Sequence, residues 1–317
     1  TPVATVMYEN QSQFYSCETL QEAIDKAFET NANSVRLIAD IELTEEVTIA
    51  KDANILLDLN GKTVVGVDEA EKSFGLITNH AKLTIVGPGT ISLSATNNRG
   101  WNAYSSVISN QPGGNLTVGE GVVIEHLGGT DMAYGIDNLT NGKGTSAIAT
   151  INDATVKSTY RAVRQFLNGV EANNSLTVNS GAVIEGPNKS IWMQDPSKNA
   201  NSGKLFVNSG AVLNGDVYLS VTEGSTEWPV SVSIVASTVK GEVLTGNVPA
   251  GYGVILEEGI WKVEKNSDKY VFIGSAEQLI MASKQSFKGG QKVFLTNDID
   301  LKDKEFTGLS AFNPEDN

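Results

Sequence analysis

Cysteine and histidine are nearly absent from this 317-residue chain. Cys17 is the single cysteine, which excludes an intrachain disulfide and a thiolate metal site. The two histidines, His80 and His126, have no second histidine or cysteine at metal-ligand spacing, and we expect both to lie on the surface or in turns. The sequence therefore predicts no metal site and no cofactor, and it points to no catalytic residue.

Basic residues and long apolar runs are also scarce. The chain has 23 Lys and Arg against 37 Asp and Glu, a net charge of −14. An acidic surface repels nucleic-acid phosphates and anionic lipid, and no stretch reaches the ~18 apolar residues of a membrane helix. The first residues, "TPVATV", include no basic segment, so we expect that a targeting segment was removed. We expect a monomer with no nucleic-acid partner and no membrane insertion.

A repeated strand pattern is the main feature that is present. The stretch "SLTVNSGAVIEG" (175–186) returns as "KLFVNSGAVLNG" (204–215). Equivalent apolar positions lie 33, 33, 27, 29 and 27 residues apart, at Leu83, Leu116, Ala149, Leu176, Leu205 and Val232. A second set lies 31, 28, 27, 28 and 26 residues apart, at Ile77, Ile108, Ile136, Val163, Ile191 and Val217. Two independent sets therefore report one period.

Each repeat holds about three short strands, which are too short to bury an apolar face unless the repeats stack. A propeller blade would need ~40–45 residues and four antiparallel strands. The repeat therefore predicts an all-β fold, a single-stranded right-handed parallel β-helix. The Asn and Gly of "NSG" are expected to turn the chain, since both tolerate left-handed backbone.

The two ends of the chain carry different patterns. "CETLQEAIDKAFET" (17–30) has a helical apolar stripe at Leu20, Ala23, Ile24, Ala27 and Phe28, which predicts an N-terminal capping helix (about 17–33) for a β-helix over 1–266. "SAEQLIMASKQSFKGGQKVFLTNDIDL" (275–301) resembles residues 20–43. Residues 267–317 are therefore predicted to be a short C-terminal α/β segment, either a cap or the truncated start of a second β-helical array.

The opening text "YSCETLQEAIDKA…VRLIADIELTEEVTI…ILLDLNGKTV" resembles the right-handed parallel β-helix domains of the pectin-lyase-like superfamily that occur in bacterial surface and adhesin-like proteins. The resemblance covers residues 14–66 by motif and extends to about 265 by repeat period. It implies a secreted or cell-surface bacterial protein. It does not indicate one activity, because that superfamily includes lyases, hydrolases, adhesins and other modules.

One strand of each repeat carries two informative columns. With the anchor residue facing the core, the position two residues later also faces inward. This inward column, which predicts a ladder of stacked amides in its first four members, is Asn79, Asn110, Asn138, Gln165, Met193 and Leu219. The outward column is Thr78, Ser109, Asp137, Arg164, Trp192 and Tyr218.

The outward column predicts the candidate site. Aromatic rings beside charged groups on a flat sheet suit a sugar chain, which needs contact with ring faces and hydrogen bonds to its hydroxyls or carboxylates. The predicted ligand-binding residues are Tyr134, Asp137, Arg161, Arg164, Lys189, Trp192 and Tyr218. In the alternative interpretation, Trp192 packs under the following turn at 194–203 and Arg164 only neutralises Asp137.

Catalysis has less support in the sequence. A glycosidase needs two carboxylates ~5–9.5 Å apart, whereas Asp216 lies three repeats from Asp137. A lyase would need a base such as Arg161, Arg164 or Lys189, and no acidic cluster stands beside these cations to bind a calcium ion. The sequence thus favours a secreted or cell-surface adhesin-like module that binds a polysaccharide or host glycan. The cations Arg161, Arg164 and Lys189 suit an anionic glycan better than a neutral one. A polysaccharide lyase or glycoside hydrolase and a structural spacer are the alternatives.

Overall fold

The computed structural model describes residues 1–8, 14–69, 72–95, 103–129, 132–141, 146–168, 173–195, 203–306 and 308–309. In these ranges the chain is a parallel β-solenoid. The predicted all-β parallel β-helix, with an N-terminal capping helix and a short C-terminal α/β segment, is confirmed.

The strands repeat in a fixed order around three long sheets. The chain begins with β1 (Ala4–Met7), β2 (Phe14–Cys17) and α1 (Leu20–Glu29). The repeats follow as β3 (Ser34–Leu37), β4 (Ile41–Leu43), β5 (Val47–Ile49), β6 (Asn54–Asp58), β7 (Thr63–Asp68), β8 (Phe74–Asn79), β9 (Lys82–Val86), β10 (Gly89–Ala95), β11 (Ser105–Asn110), β12 (Asn115–Val118), β13 (Val122–Gly128), β14 (Ala133–Asn141), β15 (Ile148–Ile151), β16 (Thr155–Ser158), β17 (Arg161–Asn168), β18 (Ser175–Val178), β19 (Val183–Glu185), β20 (Lys189–Asp195), β21 (Gly203–Val207), β22 (Val212–Asn214), β23 (Val217–Val221), β24 (Val230–Val235) and β25 (Val243–Thr245). The chain ends with β26 (Tyr252–Glu257), β27 (Ile260–Lys265), β28 (Tyr270–Ile273), α2 (Ala276–Ser283) and β29 (Lys292–Leu295).

Each repeat from β3 to β23 contributes one strand to each sheet, and the last repeat contributes β24 to sheet 1 and β25 to sheet 3. Sheet 1 has the order β2-β1-β3-β6-β9-β12-β15-β18-β21-β24-β27-β26. Sheet 2 has the order β22-β19-β16-β13-β10-β7-β4, and sheet 3 has the order β25-β23-β20-β17-β14-β11-β8-β5. Neighbouring strands within the repeats pair in parallel, because each repeat stacks directly on the one before it.

The two sets of anchor residues occupy equivalent positions in the repeats. Leu83, Leu116, Ala149, Leu176, Leu205 and Val232 pair in register along sheet 1. Ile77, Ile108, Ile136, Val163, Ile191 and Val217 do the same along sheet 3. All are buried in one continuous core, so the period read from the sequence is the structural repeat.

The predicted amide ladder is confirmed inside this core. The Asn79 Nδ2 group donates to Asn110 Oδ1 at 2.8 Å, and Asn110 Nδ2 donates to Asn138 Oδ1 at 2.8 Å. The Asn138 Nδ2 group donates to Gln165 Oε1 at 2.6 Å, and Gln165 Nε2 closes the ladder on the Lys204 carbonyl at 2.7 Å. All four amides are 0 % exposed, and Asn110 and Asn138 also donate to the backbone carbonyls of Ile148 and Ser175, so these buried amides are satisfied inside the core.

The "NSG" turns work differently from the prediction. Left-handed backbone is taken by the glycines, Gly181 (φ 82°) and Gly210 (φ 86°), and not by the asparagines. The asparagines instead form a second ladder at the surface. Asn179 Nδ2 donates to Asn152 Oδ1 at 2.6 Å, and Asn208 Nδ2 donates to Asn179 Oδ1 at 2.7 Å.

The capping helix covers the first repeat as predicted, with one exception on its apolar stripe. Leu20, Ala23, Ile24 and Ala27 are buried, whereas Phe28 remains 46 % exposed. The Thr19 hydroxyl accepts the Glu22 N–H, and Glu22 Oε2 accepts the Glu18 N–H. This reciprocal capping fixes where the helix begins.

The C-terminal segment has the same capping pattern. The Ser275 hydroxyl accepts the Gln278 N–H, and Gln278 Oε1 accepts the Gly274 N–H at 2.6 Å. The helix α2 joins the parallel strands β28 and β29, which form a separate sheet. This βαβ unit is compatible with both predictions for residues 267–317, the cap and the start of a second array.

The C-terminal unit contacts the closing hairpin β26–β27 at one carboxylate. Glu257 accepts from Lys292 Nζ at 2.7 Å, from the Tyr270 hydroxyl at 2.7 Å and from Lys269 Nζ at 3.0 Å. These three donors, with Lys292 first, hold the pKa of Glu257 at about 2. Ile255 packs beside them against Tyr270 and Phe272.

We predict that Asn110→Ala destabilises the solenoid by about 1–3 kcal/mol, because it leaves the buried Asn79 Nδ2 group and the buried Asn138 Oδ1 atom without a hydrogen-bond partner. Urea unfolding measures the change. The matched control is Asn208→Ala in the exposed ladder, where water replaces the lost bond and the change should be well below that of Asn110→Ala. Equal effects at the two positions would contradict the buried ladder.

We predict that Glu257 makes the docking of the C-terminal unit depend on pH. Its pKa in the folded chain lies below the ordinary value of 4.5, so its contribution is complete above about pH 4.5 and is lost as the pH falls through about 2. The melting temperature of Glu257→Gln should therefore lie below that of the unaltered chain at pH 5, and the gap should close near pH 2. Glu42→Gln, at an exposed carboxylate of β4, is the control. A gap independent of pH would refute the assignment.

Candidate functional site

The seven predicted site residues come together on the outer face of sheet 3. Tyr134, Arg161 and Lys189 are register partners on β14, β17 and β20. Asp137, Arg164, Trp192 and Tyr218 form a second register column on β14, β17, β20 and β23. Met132, Tyr134 and Trp192 pack in a cluster of their own, separate from the main core, with Tyr104 and Tyr218 at its edge. The predicted direction of these side chains is therefore correct.

The predicted exposure of this column is wrong. Arg164, Asp137 and Tyr134 are 0 % exposed, Trp192 is 6 % exposed and Arg161 is 7 % exposed. Only Lys189 and Tyr218 are half-buried. The strands β11, β14 and β17 are buried on both faces, so this part of sheet 3 does not present an open platform. The turn that was expected to cover Trp192 lies mostly outside the described residues.

At the centre is a buried ion pair. Arg164 Nε donates to Asp137 Oδ1 at 2.9 Å, and Arg164 Nη2 donates to Asp137 Oδ2 at 2.6 Å. Burial opposes the charge of Arg164, but Asp137 outweighs it and holds the pKa of Arg164 above its ordinary range. Both carboxylate oxygens of Asp137 are therefore engaged, and this residue is not placed to protonate a substrate.

Three aromatic rings enclose the guanidinium of Arg164. Its Cζ atom lies 4.3 Å from the ring centre of Tyr104, 4.6 Å from that of Tyr134 and 4.2 Å from that of Phe166. Cations over aromatic faces are stabilised, and more so where water is excluded. Arg164 Nη1 and Trp192 Nε1 are buried and have no hydrogen-bond partner among the described residues. We call this group, Tyr104, Met132, Tyr134, Asp137, Arg161, Arg164, Phe166, Trp192 and Tyr218, the outer cluster.

A second cation lies nearer the surface of the outer cluster. The Cζ atom of Arg161 lies 4.4 Å from the ring centre of Trp192, and Arg161 Nε donates to Asn188 Oδ1 at 3.0 Å. Lys189 Nζ donates to the same Asn188 oxygen at 2.8 Å and lies 5.0 Å from the ring centre of Tyr218. Burial first, and the charge of Arg161 second, lower the pKa of Lys189.

The edge formed by Lys189 and Tyr218, which we call the basic edge, is thus the accessible part of the predicted site. Lys189 makes no ion pair with a described carboxylate, although Asp216 lies near enough to raise its pKa slightly against the other two effects. The half-buried Lys189 amine can contact an anion at this edge. The tyrosine ring beside it offers an apolar face of the kind that packs on sugar rings.

Several residues of the site were missed by the sequence analysis. Phe166 lies two positions after Arg164 on the same strand, and the alternation of the strand would have placed it on the same face. Tyr104 and Met132 precede their strands, and no periodic signal marks them. His126 was expected at the surface, but it is 0 % exposed and its Nε2 lies 2.8 Å from Ser105 Oγ. The alternation Val122, Ile124, His126 along β13 was the available signal.

Comparisons with protein-family models, with curated proteins and with solved structures found no match to this chain. Neither described helix is long and apolar enough to cross a membrane. The chemistry of the site therefore has to follow from its own geometry.

We predict that Arg164→Met destabilises the chain by about 3–5 kcal/mol, because it leaves the Asp137 carboxylate buried without its partner. The double variant Asp137→Leu, Arg164→Met should recover most of that loss. Urea unfolding measures both. Arg36→Met is the control, because Arg36 pairs with Asp58 at the surface with 47 % and 25 % of the two side chains exposed, and such pairs contribute ~0–1 kcal/mol. If Arg164→Met is as mild as the control, water reaches the pair and the outer cluster is open.

Proposed function

We propose that the chain is a secreted or cell-surface, adhesin-like β-helix module of a bacterium, and that it binds an acidic glycan at the basic edge. The observation that carries the proposal is the Lys189 amine, which is half-buried beside a second cation and above the Tyr218 ring. Burial first and the charge of Arg161 second lower the pKa of Lys189, and a glycan carboxylate beside the amine would offset both effects.

The net charge of the chain bears on which ligands the basic edge would select. A chain of net charge −14 repels anions over most of its surface. Arg161 on β17 and Lys189 on β20 are adjacent cations, and they form a local exception to this repulsion of anions. An acidic sugar that also offers an apolar ring face to Tyr218 would gain from both contacts, whereas an inorganic anion would gain from one. We therefore expect a preference for uronate-containing oligosaccharides over small anions.

The buried outer cluster supports the binding edge from behind. The ring of Trp192 lies against Arg161, and the Asp137–Arg164 pair fixes the adjacent strands in one register. The cations of the edge are therefore held in place before any ligand arrives, and preorganisation of this kind reduces the entropy cost of binding. Enzymatic cleavage is less favoured by this geometry, because Asp137 is fully engaged by Arg164.

We predict that Lys189→Gln weakens the binding of an oligogalacturonate at least tenfold, because it removes a charge-assisted contact in a half-buried setting. Tyr218→Ala should weaken it by a similar factor through loss of ring contact. Isothermal titration at low salt measures both.

Lys204→Gln is the matched control, because it removes the same charge from an exposed position on sheet 1. An equal loss of affinity in Lys204→Gln would mean that only overall charge matters. If the unaltered chain binds no uronate oligosaccharide, the proposal fails and the structural spacer is favoured. Release of shortened or unsaturated products would instead favour the lyase or hydrolase.

A further inference from the structure

A polar groove lies at the N-terminal end of the solenoid, far along the chain from the basic edge. One cavity of about 340 Å³ lies between the capping helix and the first strands of sheet 1. Its lining includes two aromatic residues and four polar ones, which are Tyr8, Phe28, Asn31, Asn33, Asp52 and Asn54. A second cavity of about 540 Å³ has Asp52 in its lining as well, so the two cavities are neighbours.

Phe28 is the first observation that points to a ligand. It belongs by spacing to the apolar stripe of α1, and the other four residues of that stripe are buried. Phe28 is instead 46 % exposed and lines the groove. Tyr8 lines the same cavity, and its ring centre lies 6.3 Å from that of Tyr15. Two aromatic side chains therefore border a cavity that is otherwise polar.

The polar side chains of the groove are the second observation. Asn31, Asn33 and Asn54 make no side-chain hydrogen bond to any residue that the structure describes, and Asp52 makes none either. This differs from the asparagines of both ladders, whose amides bond to one another. A planar amide can donate and accept at once, which matches the paired hydroxyls of a sugar. The charge of the four side chains together is a single negative one, which suits a neutral ligand better than an anion.

The groove follows the repeat of the solenoid. Asn54 begins β6, and its register partner on β9 is Lys82, which lines the second cavity. Lys51 and His80 line that cavity too. Successive strands are ~4.8 Å apart, a spacing of the same order as the length of one sugar unit. The groove can therefore extend from one unit over the asparagines to a second unit over Lys82.

We propose that this groove, which we call the cap groove, binds a neutral oligosaccharide, with Phe28 and Tyr8 against the faces of the sugar rings and the amides of Asn31, Asn33 and Asn54 on the hydroxyls. The inference goes beyond the acidic-glycan site at the basic edge and does not depend on it. It assigns a second sugar site of different charge preference to the opposite part of the solenoid.

The test is titration of the full chain with a panel of neutral oligosaccharides, followed by protein-detected nuclear magnetic resonance. We expect Phe28→Ala and Asn54→Ala each to weaken binding roughly tenfold, through loss of one ring contact and of one paired hydrogen bond. Both side chains are exposed, and Phe28 lies in a helix, where alanine is favourable, so the variants should remain folded.

Two matched controls lie outside the cap groove. Phe14→Ala removes another exposed phenylalanine, and Asn115→Ala removes the exposed asparagine that is the next register partner beyond Lys82. Neither should change the affinity. Lys189→Gln should also leave neutral binding intact, so the failure of either site can be told from the failure of the other.

Three results would overturn the proposal. The first is a panel in which no neutral oligosaccharide shifts resonances of residues 28, 31, 33 or 54. The second is binding that is unchanged by both Phe28→Ala and Asn54→Ala. The third is a groove that takes uronate oligosaccharides but no neutral ones, with affinity lost in Lys82→Gln, which would assign it to acidic glycans.

Discussion

The hydrogen bonds between side-chain amides inside the core set the register on which the rest of the molecule depends. The Asn79, Asn110, Asn138 and Gln165 side chains are fully buried, and each of the three asparagines donates to the amide of the next repeat. A slip of one residue would bury other side chains and leave these amides unpaired. The ladder runs along β8, β11, β14 and β17, and the last two of these strands carry Asp137 and Arg164 on their other face. The buried amides therefore set the register of the strands, and the register decides which outer residues can contact one another.

The outer cluster shows what that register produces. Asp137 lies one repeat from Arg164, which places an acid and a base in direct contact. Tyr104, Tyr134 and Phe166 then enclose the guanidinium and exclude water, which makes the pair costly to break. The basic edge lies at the rim of this cluster. Lys189 and Tyr218 are accessible there because the enclosing rings gather around Arg164 and leave the last strands of the column only half covered.

The fold could be predicted from the sequence in unusual detail because a solenoid is governed by contacts between neighbouring repeats. Alternation along each strand showed which residues of sheet 3 face the core, and the period showed which residues stack. The amide ladder and the adjacency of the seven candidate residues both followed. Exposure did not follow, because it depends on residues such as Tyr104 and Met132 that lie before the strands and outside the periodic pattern. The position of Phe28 in the apolar stripe misled the prediction of its burial for a related reason. The stripe of α1 is wider than the surface that it covers, so its last residue stays exposed.

The sequence by itself thus determined the period, the inward and outward faces, the ladder, the capping helix α1 and the C-terminal α/β segment, because each depends on residues at fixed spacing. The tertiary structure alone decided which outward residues remain accessible. Burial of Arg164 and Trp192 results from side chains that meet across several repeats, and the cap groove lies between residues of α1, of the loop after it and of β6. Neither arrangement repeats along the chain, so no periodic pattern in the sequence could record it.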